Sequence, residues 1–194
     1  MDTAFLSEHI SKYIDLSKEE EDYFMALLKI KKVKRKQFLF QEGDVHKYSV
    51  FVTGGCLRSY AIDKNGFEHV LQFAPPGWWI GDMNSLLTGA PGILYIDAIY
   101  DSETLLLSKA DQDKLYADIP KFERFFRILA ERAFAACQYR LIDNLSLSAL
   151  ERYNNFCRLY PSLIERLPQK QVASYIGVTP EFLSTMLHKN APDR

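Results

Sequence analysis

Between Leu167 and Met186 the chain has room for little other than two short helices joined by a sharp turn. Val172, Ile176, Val178, Leu183 and Met186 are apolar at the intervals that let two helices share one seam. Ala173 is small enough for the pair to close up, and Gly177, four residues on, can take the positive φ that a sharp turn demands. Thr179-Pro180-Glu181 is a strong helix start, with a hydroxyl N-cap, proline at the first helical position and an acid in the first turn. Two helices so joined are the form in which a protein sets a helix into a DNA groove. The competing reading, a helical hairpin that finishes a core, is weaker, because the apolar positions, alanine, glycine and cap share one register.

The chain before this segment changes pattern twice. Phe5, Leu6, Ile10 and Ile14 make a helical stripe, and Ser17 with Glu20 reads as a capping box for a second helix. A basic run, Lys29 to Lys36, alternates with Ile30 and Val33, which favours a solvated strand edge over a polyanion site. From Phe38 to about Ser108 short apolar runs stop at turn residues: Glu42-Gly43-Asp44, Thr53-Gly54-Gly55, Asp63-Lys64-Asn65-Gly66, Pro75-Pro76-Gly77 and Gly81-Asp82. Many short strands with glycine turns predict a jelly roll or barrel. Ser108 to Asp111 opens a short helix that Pro120 ends.

A long helix is predicted from Lys121 to Asn144. Phe122, Phe126, Leu129, Ala133 and Ala136 recur at steps of four and three, a coiled-coil-like seam that predicts self-dimerisation. Helical patterning resumes from Leu145 to Leu159. Composition adds exclusions: a net charge of −1 gives no global nucleic-acid signature. Cys56, Cys137 and Cys157 have no paired spacing, which predicts buried thiols in a reducing compartment and no zinc site. With no signal-peptide pattern at the N-terminus and no long apolar run, the expected location is cytoplasmic, without a membrane. A cupin-type metalloenzyme needs converging histidines, and His9, His46, His69 and His188 lack that spacing. Neither a catalytic centre, a metal nor a cofactor is expected.

Phe40-Gln41-Glu42-Gly43-Asp44, Val52-Thr53-Gly54-Gly55, Asp63-Lys64-Asn65-Gly66 and Pro76-Gly77-Trp78-Trp79-Ile80-Gly81-Asp82, followed by the long helix and the helix-turn-helix, give an order that resembles the CRP/FNR family of bacterial transcription regulators. The resemblance implies an α+β chain: an N-terminal double-stranded β-helix (jelly-roll) sensor resembling a cyclic-nucleotide-binding domain over 1–120, a dimerisation helix over 121–144, and a helix-turn-helix domain over 145–194 without an evident wing. In relatives that bind cyclic AMP, the cassette begins Gly-Glu, the acid taking the ribose hydroxyl, and ends with an arginine that grips the phosphate. Gly81-Asp82 resembles the first part. The segment Ala90 to Tyr95 carries no cation where the arginine should fall, so binding of a cyclic nucleotide is not expected. Arg58 is the candidate substitute, and Trp79 and Tyr95 are candidate lining residues for a different, unknown small-molecule effector.

For the DNA reader, the resemblance implies arginines where this chain has Pro180 and Thr185. The expected DNA contacts are Gln169, Lys170, Thr179, Glu181, Ser184, Thr185, His188 and Lys189, with Lys170 and Lys189 toward phosphates and Glu181 and Ser184 or Thr185 toward bases, at modest, salt-sensitive affinity. The leading expectation is a homodimeric regulator binding double-stranded DNA, with RNA polymerase as a further candidate partner. The alternative is a small-molecule-binding roll whose helix-turn-helix has lost DNA binding.

Overall fold

The computed structural model describes residues 3–190. They divide into two compact units. One takes in the chain up to Ala61 together with Leu71–Glu131; the other takes in Ile62–Val70 and the chain from Arg132. The division falls inside the long helix, between Glu131 and Arg132.

In the first unit, α1 (Thr3–Ser11) and α2 (Lys18–Leu27) precede a β-roll. Ser17 caps α2 in the expected capping box with Glu20. The roll strands are β1 (Lys29–Val33), β2 (Phe38–Phe40), β3 (Tyr48–Ile62), β4 (Glu68–Ala74), β5 (Trp79–Ile80) and β6 (Tyr95–Ser108). They run in the order β1-β6-β3-β4, with β2 added on β6 and β5 on β3. A short helix, α3 (Met83–Thr88), lies between β5 and β6, and α4 (Lys109–Asp118) and α5 (Lys121–Ser146) follow. Ser108 caps α4 through the Asp111 N–H.

Strand periodicity builds two cores at once. Val50 and Val52 on β3 and Leu106 on β6 point into the roll with Leu57, Ile80 and Ile96. The residues between them, Phe51, Leu105 and Leu107, point the other way, onto Leu6, Ile10, Phe24, Leu115, Phe122 and Phe125 of the helices. Each fully buried side chain of this size stabilises the fold by roughly 1.5–3 kcal/mol relative to exposure. The basic run is an edge strand as expected: β1 is exposed except for Val33. Lys32 pairs with Glu103 at 2.8 Å and Lys34 with Asp101 at 3.2 Å.

One predicted turn is not a turn. Thr53-Gly54-Gly55 is a bulge inside the single long strand β3, whose pairing with β6 slips between Val52 and Leu57. Gly55 makes the slip possible, since its φ is 80° and a Cβ there would come within 2.3 Å of the Asp101 carbonyl oxygen. Its partner β6 is likewise one long strand, from Tyr95 to Ser108.

In the second unit, α6 (Ala149–Leu159) starts four residues later than predicted, at a capping box of Ser148 and Glu151. Then come α7 (Gln169–Ile176) and α8 (Pro180–Lys189). Phe156, Leu163, Leu167, Val172, Ala173, Ile176, Leu183 and Met186 are buried here. The tip of the β3–β4 hairpin belongs to this unit. Its turn forms as predicted, the Asp63 carboxylate accepting from the Asn65 and Phe67 N–H groups at 2.8 and 3.0 Å. The Ser174 hydroxyl accepts from the Val70 N–H at 3.0 Å and donates to the Glu68 carbonyl at 2.5 Å. The Arg140 guanidinium donates to the carbonyls of Val70 and Tyr175 at 2.6 and 2.9 Å, and lies 4.0 Å from the Tyr175 ring centre. Among the described residues no helix is long and apolar enough to cross a membrane.

Candidate nucleic-acid interface and sensor site

The helix pair of the second unit has the local chemistry expected of it. Gly177 closes α7 with φ 74° and ψ 41°, and the Gly177 and Val178 N–H groups both return to the Ala173 carbonyl region that ends the helix. The Thr179 hydroxyl accepts from the Phe182 N–H at 3.2 Å, which starts α8. Leu183 and Met186 turn inward and are buried, whereas Glu181, Phe182, Thr185, His188 and Lys189 are exposed. Gln169 and Lys170, at the first turn of α7, are exposed as well.

Three of the expected DNA contacts differ in detail. Thr179 is engaged as a cap. Thr185 donates its hydroxyl to the Glu181 carbonyl at 3.0 Å, as hydroxyls in a helix often do. Ser184 is half-buried. Phe182 was not among the expected readers, yet it is 54% exposed. Arg194 and the place where a wing would begin lie outside the described residues.

The five sensor residues do not converge on one site. Arg58 on β3 stands opposite Asp97 on β6. Its Nε and Nη2 donate to the two carboxylate oxygens at 2.8 and 2.9 Å. Its guanidinium carbon lies 4.1 Å from the Tyr60 ring centre, and Tyr60 stacks on Tyr95 at 5.3 Å. Arg58 is therefore a buried, bidentate-paired strand residue and not a free substitute for a phosphate-gripping arginine. The Tyr95 hydroxyl donates to the Glu42 carboxylate, which holds its pKa above the ordinary tyrosine value. Trp79 faces away from these groups, into the helix-side core, with Phe51 and Phe126 at 5.2 and 5.3 Å. Gly81 is not forced to be glycine: a Cβ there meets only the Tyr48 carbonyl, at 3.8 Å.

Asp82 is a structural acid. It is 3% exposed, and its two oxygens accept from the Ser85 N–H at 3.1 Å and the Ile93 N–H at 3.0 Å. It thus caps α3 and ties the end of the following loop to its start. The remaining donors of that loop are also occupied. The N–H groups of Gly89, Ala90 and Gly92 go to the Ser85 carbonyl, the Thr88 hydroxyl and the Asp44 carbonyl, and Pro91 has none. An arriving phosphate would find here neither a cation nor a free backbone donor between Gly89 and Ile93. His46 lies beneath, 1% exposed and stacked on Phe40 at 4.4 Å. Burial pushes its pKa below the ordinary value, against the opposing pull of Asp82 and Asp44. Glycine at position 92 leaves room for the His46 and Asp82 side chains, because a Cβ there would come within 2.9 Å of His46 Nε2 and 3.0 Å of Asp82 Oδ2 and would force them to shift. Sequence reasoning missed His46; nothing at that position marks it except its closeness to the Glu42-Gly43-Asp44 turn.

The expected dimer seam needs a correction in its first half. Phe122 is fully buried in its own chain, 4.6 Å from Phe24. Phe126 packs on Trp79 and Tyr116, and Leu129 joins the same cluster. Ala133 and Ala136 are exposed. Cys137, expected to be buried, is exposed too. The large exposed apolar side chains of α5 are Phe134, Tyr139, Leu141, Ile142 and Leu145, at 65%, 71%, 61%, 56% and 80%.

Residues 30–118 match the family model described as the cyclic nucleotide-binding domain. No curated protein matches the chain. Among solved structures, the chain is similar to the c-di-GMP responsive global regulator CLP of Xanthomonas campestris, at 15% identity and a TM-score of 0.74, covering 89% of this chain and 91% of that one. It is similar to FixK2 from Bradyrhizobium japonicum at 19% identity and a TM-score of 0.70, covering 84% and 85%. The catabolite activator protein of Thermus thermophilus gives 24% identity and a TM-score of 0.56 over 91% and 84%. Residues 30–118 thus match the cyclic nucleotide-binding domain model, and the chain has the fold of these solved regulators, among them one described as a putative transcriptional regulator of the CRP/FNR family.

Proposed function

We propose that the chain is a homodimeric, DNA-binding transcription regulator whose roll answers to something other than a cyclic nucleotide. The observation that carries this reading is the left-handed turn at Gly177, which sets a capped, outward-facing α8 against α7 in a chain with this fold. Gln169, Lys170 and Lys189 contact phosphates; Glu181, Thr185 and His188 face the bases, with Thr179 and Ser184 in supporting positions. Glu181 accepts from a cytosine amino group.

The dimer forms through the second half of α5. Ala130, Phe134, Cys137, Leu141 and Leu145 are all exposed and recur at steps of four, three, four and four, a spacing suited to a two-helix seam. Two copies then present two α8 helices to successive major grooves, with half-site centres ~34 Å apart.

The test is a fluorescence titration of the full chain against labelled genomic fragments and random duplex at several salt concentrations. A fragment bound well above random DNA, with log affinity falling linearly in log salt, supports the reading. Equal binding to all fragments overturns it in favour of a roll with a degenerate helix pair. Selection from a random pool refines it: Glu181→Ala should change the recovered sequence, whereas Lys170→Ala should weaken all sequences alike.

A further inference from the structure

We infer that Phe182 is a specificity-determining residue of α8 that reads the C5-methyl group of thymine. The inference rests on α8 being the DNA-reading helix. Single exposed apolar residues are ordinary on a protein surface, but the position of this one sets it apart. Its N–H is the group that Thr179 caps, so Phe182 sits in the first turn of α8, the part of a recognition helix whose side chains contact base edges. Residues three before and three after it, Thr179 and Thr185, are exposed, while its neighbour Leu183 is fully buried. The ring is 54% exposed among otherwise polar outward side chains.

The chemistry of that turn leaves few alternatives. Thr179, Pro180, Glu181 and Phe182 include no cation, so the bidentate arginine or lysine contact to guanine is not on offer there. A carboxylate and a phenyl ring are what the turn presents. In the major groove the carboxylate complements the cytosine amino group, and the ring complements the thymine methyl, the apolar group among the base edges. Glu181 and Phe182 together therefore select pyrimidines on the strand they face, with thymine under Phe182. Covering that methyl also removes apolar ring surface from water.

Thymine-to-uracil replacement tests this directly, because it removes the methyl group and leaves every hydrogen-bonding atom in place. Each thymine of a specifically bound duplex is replaced in turn and the full chain titrated by fluorescence anisotropy. The expected result is one position per half-site where uracil weakens binding about fourfold, the equivalent of one buried methyl. Phe182→Ala should bind the thymine and uracil duplexes alike, and Phe182→Leu should keep part of the preference. Because Phe182 is exposed, neither change touches the packing of Leu183 and Met186. Indifference of the parent protein to uracil at every position overturns the inference, as does an undiminished uracil penalty in Phe182→Ala. If the parent prefers no DNA fragment over random duplex, the DNA reading of α8 falls and this inference with it. Specific binding that tolerates uracil throughout removes the role of Phe182 alone.

Discussion

Replacing Asp97 with alanine should cost the roll a large part of its stability margin. Arg58 and Asp97 have side chains only 8% and 11% exposed. The two hydrogen bonds between them, 2.8 and 2.9 Å long, match the guanidinium fork to both carboxylate oxygens. Tyr60 covers one face of the guanidinium at 4.1 Å, which further limits water. Removing the carboxylate leaves a charged group inside the fold that cannot discard its proton. Breaking a buried pair in this way costs about 3–5 kcal/mol, against a total stability of roughly 5–15 kcal/mol for a domain. At about 3 °C per kcal/mol for a chain of this size, the melting midpoint should drop by about 10 °C or more. Urea unfolding followed by tryptophan fluorescence reads the change, since Trp78 and Trp79 both lie in the roll. The double variant R58M/D97L, which removes both charges while keeping volume, should recover most of the loss. A midpoint change in Asp97→Ala below about 1 kcal/mol, or a double variant as unstable as the single one, would refute the reasoning.

Three further outcomes follow from the geometry. Isothermal calorimetry with cyclic AMP and cyclic GMP should show no binding in the micromolar range, since the loop from Gly89 to Ile93 has spent its donors; a micromolar signal would point to rearrangement of that loop. Leu141→Arg should convert dimer to monomer in sedimentation, whereas Phe122→Ala should lower stability by about 3–5 kcal/mol and leave association intact. The histidine beneath the cassette should make the roll acid-sensitive. Its pKa is lowered in the fold, so as pH falls through about 6.5 the unfolded chain takes up the proton first and stability declines. Urea midpoints between about pH 7.5 and pH 5 should therefore fall more steeply for the parent than for His46→Gln.

What could be read from the sequence was local. The caps at Ser17, Ser108 and Thr179, the hairpin at Asp63 and the left-handed Gly177 each depend on residues within four positions of one another, and each formed as expected. The bulge at Gly55 was not legible, because whether two glycines turn a strand or kink it depends on Asp101 and Ser102 across the sheet. Periodicity showed that α5 has wide apolar coverage but not which stripe meets which neighbour. The stripe through Phe122 and Phe126 proved to be intramolecular because Phe24 and Trp79 come to it from distant parts of the chain. The same limit hid the partner of Arg58, thirty-nine residues away, and the turning of Asp82 toward its own loop. Candidate ligand residues were chosen by type, and their partners decide what they can still bind.

The tie that Ser174 and Arg140 make to the hairpin tip has a consequence for how this region can diverge. The hairpin atoms held in these three bonds belong to the backbone: the Val70 N–H, the Val70 carbonyl and the Glu68 carbonyl. The hairpin side chains can therefore drift without loosening the tie, whereas Ser174 and Arg140 cannot. Variation in this unit should be lopsided, tolerant at Lys64 and Phe67 and intolerant at Ser174 and Arg140 in the two helices that hold the tip.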